Sequence, residues 1–312
     1  MTRHTIEQSA ALSQARSSQC EIDQRGNLDP MANVIEIRNL VRRFGAQTVL
    51  DGINLDIAEG ETMVIMGGSG CGKSTLLRHL IGSLQPSEGS IKIFGEEIAT
   101  VGEAGLDSVR KKFGILFQSG ALFNSMSIAD NIALPLREHT TLDSHIIEIQ
   151  VMIKLELVGL REHANKFPSQ ISGGMKKRAG LARALALDPR ILFYDEPSAG
   201  LDPVTSAEID QLMLDLTRKL GVTSVVVTHE MDSAFTIADR MTMLDKGRAL
   251  MIDTRAAFDA LRKTSLEDCA KLPEKDRLIR QFLRGDAQGP LTERKAATNY
   301  AEDLLSLGAE KK

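Results

Sequence analysis

Thr62-Met63-Val64-Ile65-Met66-Gly67-Gly68-Ser69-Gly70-Cys71-Gly72-Lys73-Ser74-Thr75 decides the reading of this chain. Thr62–Met66 carries no charge, as a strand covered on both faces requires. Gly67–Ser74 then fit the pattern G-x-x-x-x-G-K-[ST], and an apolar helix is expected to follow through Leu84. A phosphate is cradled when successive main-chain N–H groups turn inward around it, and glycine tolerates both the dihedrals and the close approach. The helix starting near Gly72 adds the positive end of its dipole. Gly67, Gly68, Ser69, Gly70, Cys71 and Gly72 are therefore candidate phosphate-binding residues, with Lys73 bridging the β- and γ-phosphates of a nucleotide. Ser74 is the candidate Mg²⁺ ligand and Thr75 a donor to an inner phosphate. A flexible turn ahead of a helix is the plain alternative. Eight matching positions between a strand and a helix weigh against it.

A second apolar strand, Ile191–Tyr194, ends in Asp195-Glu196. Phosphoryl transfer uses one carboxylate in the shell of the metal and another to orient or deprotonate the attacking water. Asp195 suits the first role and Glu196, one residue further on, the second. The strand Thr223–Thr228 delivers His229 to its carboxyl-terminal edge, where ligands sit in open α/β sheets. Of the six histidines only His229 has such a context, from which it can donate to the γ-phosphate.

Outward from these motifs, strands alternate with helices. Val34–Arg38, Gly52–Ile57, Ser90–Phe94, Phe113–Phe117 and Arg240–Leu244 read as further strands, and Val204–Leu220 and Met231–Ala238 as helices. That order implies an α/β domain with a mostly parallel sheet. Between Ser127 and Leu187 helical periods dominate, interrupted by Pro135, Gly159 and Pro168, and this block is expected to form a separate lobe over about 119–187. The domain is expected over 34–256, after a disordered arm at 1–33 and before an extension at 257–312. In that extension Tyr300, Leu304 and Leu307 recur on one helical face, which reads as a clasp on a dimer or partner, or else as a frayed end.

Composition narrows the function classes. The 312 residues are 42% hydrophobic and 26% charged, and 38 basic against 42 acidic side chains leave a formal charge of −4. This balance argues against a nucleic-acid partner. Cys20, Cys71 and Cys269 are too scattered for a disulfide framework or a metal cluster, which suits a reducing compartment. No apolar run approaches the roughly 18 residues that span a bilayer, and Met1–Pro30 has no signal-peptide pattern. A membrane path would have to come from another chain.

The motifs together resemble the ATP-binding cassette (ABC) ATPases. The decisive element is Ile171-Ser172-Gly173-Gly174-Met175, followed by Arg178, which is similar to the family's signature sequence. The resemblance implies that Ser172, Gly173 and Gly174 reach the γ-phosphate held by a second copy, so that the working unit is a homodimer. It also implies that Gln118 senses Mg²⁺ and helps catalysis, that Ser198–Asp202 crosses the dimer interface, and that Phe44 stacks on adenine. An antiparallel β subdomain belongs to the implied fold. Two residues depart from the family pattern: Met175 stands for a glutamine and Phe44 for the commoner tyrosine.

Within the family, Phe117–Phe123, Asn131–Thr140, Val151–Leu160 and Met175 resemble the ATPases of Mla (Mce-associated) phospholipid transport systems. That resemblance implies an integral membrane permease, a regulatory STAS-domain protein and an Mce-type lipid-binding protein as partners. It also implies a place at the cytoplasmic face of the inner membrane. The alternatives are another ABC importer or a soluble ABC ATPase acting on DNA or ribosomes; the long coiled coils or second cassette typical of the latter are missing. A P-loop kinase or GTPase would lack both the ISGGM element and the Asp195-Glu196 pair.

Overall fold

Every residue of the strands Thr62–Gly67 and Thr223–Val227 is buried, which an apolar strand achieves only when both of its faces are covered. In the computed structural model, which describes residues 32–269 and 271–293, these strands lie at the centre of a six-stranded sheet. The chain divides into two compact units, Met1–Asn33 and Val34–Lys312, and the description concerns the second. The arm at 1–33, save its last two residues, and the face made by Tyr300, Leu304 and Leu307 lie outside the described residues.

In chain order the strands are β1 (Asn33–Phe44), β2 (Gln47–Ala58), β3 (Thr62–Gly67), β4 (Glu88–Ile93), β5 (Glu96–Glu97), β6 (Phe113–Leu116), β7 (Ile191–Asp195), β8 (Thr223–Val227), β9 (Arg240–Asp245) and β10 (Arg248–Thr254). The large sheet has the order β10-β9-β3-β8-β7-β6. All its pairs are parallel except β10 on β9. The smaller sheet, β2-β1-β4-β5, pairs β4 antiparallel with both of its neighbours. The fold is thus α/β, with a mostly parallel core sheet and an antiparallel second sheet.

The helices are α1 (Lys73–Leu80), α2 (Glu103–Arg110), α3 (Ile128–His139), α4 (Ser144–Leu157), α5 (Gly173–Ala184), α6 (Pro203–Leu220), α7 (Met231–Ile237), α8 (Arg255–Lys263), α9 (Leu266–Cys269) and α10 (Glu274–Arg284). Strand alternation divides the core. Met63, Ile65, Phe193 and Val225 join one cluster with Ile37 and Leu50 of the small sheet and Leu76 and Leu80 of α1. Val64, Met66, Tyr194 and Val226 join another with Ile209 and Met213 of α6, and with Phe258, Ile279 and Leu283 from beyond residue 256. Each such side chain contributes about 1.5–3 kcal/mol on burial. Helices α3, α4 and α5 share a third core around Ile132, Leu136, Val151, Leu155 and Ala182.

Three local expectations are corrected. The helix after the glycine loop ends at Leu80, not Leu84. Gly82 there takes a left-handed φ of 68°, while Gly82 N–H donates to His79 O and Ser83 N–H to Arg78 O, the paired bonds of a Schellman stop. Pro135 does not interrupt its helix, because Ile128, Ile132, Ala133 and Leu136 anchor α3 on both sides of it. The strand expected over Phe113–Phe117 ends at Leu116, and Phe117 is exposed.

Candidate active site

The carboxyl-terminal ends of β3, β7 and β8 meet at one edge because β8 lies between the other two. The register sets Ile65 beside Val227 and Val227 beside Asp195. Hydrogen bonds continue past the ladder, with Thr228 N–H donating to Ile65 O at 3.2 Å and Glu196 N–H to Val227 O at 2.9 Å. This edge gathers the glycine loop, both carboxylates and His229.

The loop needs its glycines for space as well as for dihedrals. A Cβ on Gly67 (φ 150°) would stand 2.3 Å from the main-chain oxygen of Leu244, and one on Gly72 (φ 109°) would stand 2.7 Å from Leu50 Cδ2. Gly68, Ser69 and Gly70 face solvent, with open space around the Cα of Gly68. Lys73 folds back over the loop, its Nζ donating to Gly67 O at 2.8 Å and Gly68 O at 3.1 Å. A phosphate entering the loop offers that ammonium a charged acceptor in place of neutral ones. Cys71 is buried, which pushes its thiol pKa up and makes it a packing residue rather than a nucleophile. Ser74 is exposed and Thr75 half-buried. The Thr75 carbonyl lies 2.7 Å from Nδ1 of fully buried His79, whose pKa burial lowers.

Asp195 is half-buried, and its pKa is raised first by that burial and then by the neighbouring Glu196 charge. Lys177, Arg78 and Lys73 pull the other way. Glu196 accepts from His229, whose Nδ1 lies 2.8 Å from Glu196 Oε2 and whose main-chain N–H lies 3.3 Å from it. This contact engages Nδ1 of the imidazole, so Nε2 is the ring nitrogen left to meet a phosphate. Gln118 is exposed just past β6, the neighbour of β7 in the sheet.

Two of the expected groups lie apart from this edge. Phe44, at the end of β1, is 47% exposed, with the Arg42 guanidinium 4.4 Å from its ring centre. Ser172 caps α5, its Oγ accepting from Met175 N–H at 3.3 Å. Gly174 is required there because a Cβ would stand 2.5 Å from Thr205 Cγ2 of α6. Among the described residues no hydrogen bond joins Ser172, Gly173 or Gly174 to the glycine loop.

Among the described residues no three His, Cys, Asp or Glu side chains form a ready-made metal cage. The donors expected for Mg²⁺, namely the Ser74 hydroxyl, the Gln118 amide oxygen and the Asp195 carboxylate, are hard oxygens. They fit an ion usually held by one or two carboxylates and substrate phosphates. Sequence reasoning missed Lys177 and Arg78. Lys177 stands in the run Lys176-Lys177-Arg178, which reads as a solvated face, yet only Lys177 of the three is fully buried.

A family model described as ABC transporter matches residues 50–199. The intermembrane phospholipid transport system ATP-binding protein MlaF of Escherichia coli is 41% identical over 275 residues, 88% of this chain and 97% of that protein. The probable ribonucleotide transport ATP-binding protein mkl of Mycobacterium leprae is 43% identical over 282 residues, 90% of this chain and 78% of that protein. Among solved structures, a dimeric ATP-binding cassette in a post-hydrolysis state with ADP and Pi has a TM-score of 0.65 at 31% identity, covering 71% of this chain and 98% of that one. The cbiO1 protein of Clostridium perfringens, part of the ABC transporter complex cbiONQ, has a TM-score of 0.70 at 29% identity, covering 79% of this chain and 98% of that one.

Proposed function

The chain belongs to the ABC transporter family as an ATP-binding, ATP-hydrolysing subunit, and from that premise we propose that it powers the movement of phospholipid between membranes. The observation that carries the cargo is overlap with MlaF across 97% of that protein's length. No helix among the described residues is long and apolar enough to cross a membrane, so an integral permease supplies the path. The proposed assembly adds a STAS-domain regulator and an Mce-type lipid-binding protein, with this subunit peripheral on the cytoplasmic face of the inner membrane.

In the proposed mechanism, Gly67–Gly72 and Lys73 hold the phosphates of ATP while Phe44 carries the adenine. Ser74, Gln118 and Asp195 would hold Mg²⁺, which neutralises charge on the phosphate oxygens when bound. Glu196 orients the attacking water and takes its proton, and His229 holds Glu196 before ATP arrives. Ser172, Gly173 and Gly174 complete the site of a second copy.

The identity with mkl favours a second reading, ribonucleotide as cargo. Isolating the native complex in detergent and identifying its chains and bound small molecules by mass spectrometry separates the two. Phospholipid together with an Mce-type chain is expected. Nucleotide cargo without lipid overturns the phospholipid reading and leaves the ATPase intact.

A further inference from the structure

Lys177 sits on the inward face of α5 with Gly174, Gly180 and Leu181, and it is 5% exposed. Burying an ammonium removes its hydration, and that burial lowers the Lys177 pKa. Asp195, Glu196 and Glu230 attract the charge, yet among the described residues its hydrogen bond goes to a main-chain oxygen. Nζ donates to the carbonyl of Glu196 at 2.9 Å.

Glu196 is an unusual residue to be held there. Its φ is +50°, a left-handed conformation that residues with side chains seldom adopt. Four contacts impose it besides Lys177. The amide donates to Val227 O at 2.9 Å, the carbonyl also accepts from Ala199 N–H at 3.3 Å, and two nitrogens of His229 meet the carboxylate. The three residues that make them come from the sheet edge or the loop that follows Glu196. Lys177 is the one that comes from the helix capped by Ser172, so it ties the signature element to the backbone that aims the hydrolytic carboxylate.

We propose that Lys177 is a positioning residue for ATP hydrolysis, a strut that holds the Glu196 main chain in its left-handed turn and makes the aim of the carboxylate depend on the seating of α5. This rests on the reading of Glu196 as the group that activates water. A partner nucleotide drawing on Ser172 moves α5, and through Lys177 it moves the Glu196 of the same chain. Lys73 and Arg78 from α1 act on the charge of Asp195, His229 meets the Glu196 carboxylate and Glu230 acts on Lys177, but among the described residues none of them bonds to this carbonyl.

The test compares Lys177→Met, Lys177→Arg and Glu196→Gln in the full-length chain by steady-state ATPase kinetics and thermal unfolding. Lys177→Met is expected to lower kcat by about tenfold or more with KM for ATP within about twofold of wild type, as loss of a transition-state interaction does. Lys177→Arg keeps a cationic donor and is expected to recover most of that loss. In the Glu196→Gln background, Lys177→Met is expected to cost nothing further, because the group it aims is already gone. An unchanged kcat in Lys177→Met, a matched rise in KM, or an equal further loss on top of Glu196→Gln overturns the strut. Should Lys177→Met fail to fold, Lys177→Gln takes its place in the same cycle: a loss of kcat at unchanged KM that vanishes in the Glu196→Gln background upholds the strut, and wild-type kcat or a loss that adds in full to that of Glu196→Gln overturns it. Near wild-type turnover in Glu196→Gln instead removes the reading of Glu196, and the two failures are told apart by which variant stays active.

Discussion

Glu196 adopts a backbone conformation that costs on the order of 1–3 kcal/mol for a residue with a side chain. The surrounding bonds from Val227, Ala199, Lys177 and His229 over-determine it. A strained carboxylate fixed at the edge that also carries the glycine loop suits a group that must be aimed as well as able to take a proton. Replacing it with glutamine keeps the shape and removes the proton acceptor. Glu196→Gln is expected to retain ATP binding and lose about 10²- to 10⁴-fold in turnover, the range for general-base loss. It is also expected to accumulate as an ATP-bound dimer, measurable by size exclusion with and without ATP. Turnover near wild type would remove the role.

Helix α6 shows what a single element carries in its own sequence. Asp202 accepts from the N–H groups of Val204 and Thr205 at 3.1 and 3.0 Å and from Thr205 Oγ1 at 2.6 Å, Pro203 opens the helix, and Gly221 ends it at a φ of 64°. The Thr205 hydroxyl, followed by its N–H, holds the Asp202 carboxyl below its ordinary value. A depressed carboxylate contributes stability that is complete above its unfolded pKa, about 3.9. That stability is lost as pH falls through the lower folded value. The Tm gap between wild type and Asp202→Ala is therefore expected to be constant near neutrality and to close below about pH 4. A gap that widens on acidification contradicts the cap.

Asp202, Pro203 and Gly221 announce α6 because capping acts within one turn of chain. The glycine loop, the Asp195-Glu196 pair and His229 are legible for a similar reason, each being a strand end with a distinctive residue type. What escapes is what depends on distant neighbours. Strand β10 is half-exposed and shows no alternation in Arg248–Thr254, since it borrows its place from β9. Burial of Lys177 is invisible in a basic run because the Glu196 carbonyl it meets lies nineteen positions along the chain. The left-handed turn at Glu196 has no glycine or asparagine to signal it.

At the scale of the whole molecule, one chain holds apart groups that the proposed mechanism brings together. Ser172 and Gly173 are exposed at the start of α5, while the glycine loop opens at the far end of β3. In the proposed dimer a second copy related by twofold symmetry satisfies both surfaces at once, since an isologous interface would set each signature against the partner's loop. Mixing two defective subunits tests this. Lys73→Ala spoils the loop and leaves the signature intact, whereas Ser172→Arg does the reverse. Either homodimer contains two spoiled sites and is expected to be inactive. The mixed dimer joins the intact loop of one chain to the intact signature of the other, giving one sound site. With random pairing at equal amounts, half the dimers are mixed, so recovery of up to about a quarter of wild-type activity is expected if sites fire independently. Differently tagged subunits, captured in sequence, confirm that mixed dimers formed before ATPase activity is read. Normal hydrolysis by Ser172→Arg homodimers would mean that each chain completes its own site, and recovery absent from verified mixed dimers would mean that one sound site cannot turn over alone.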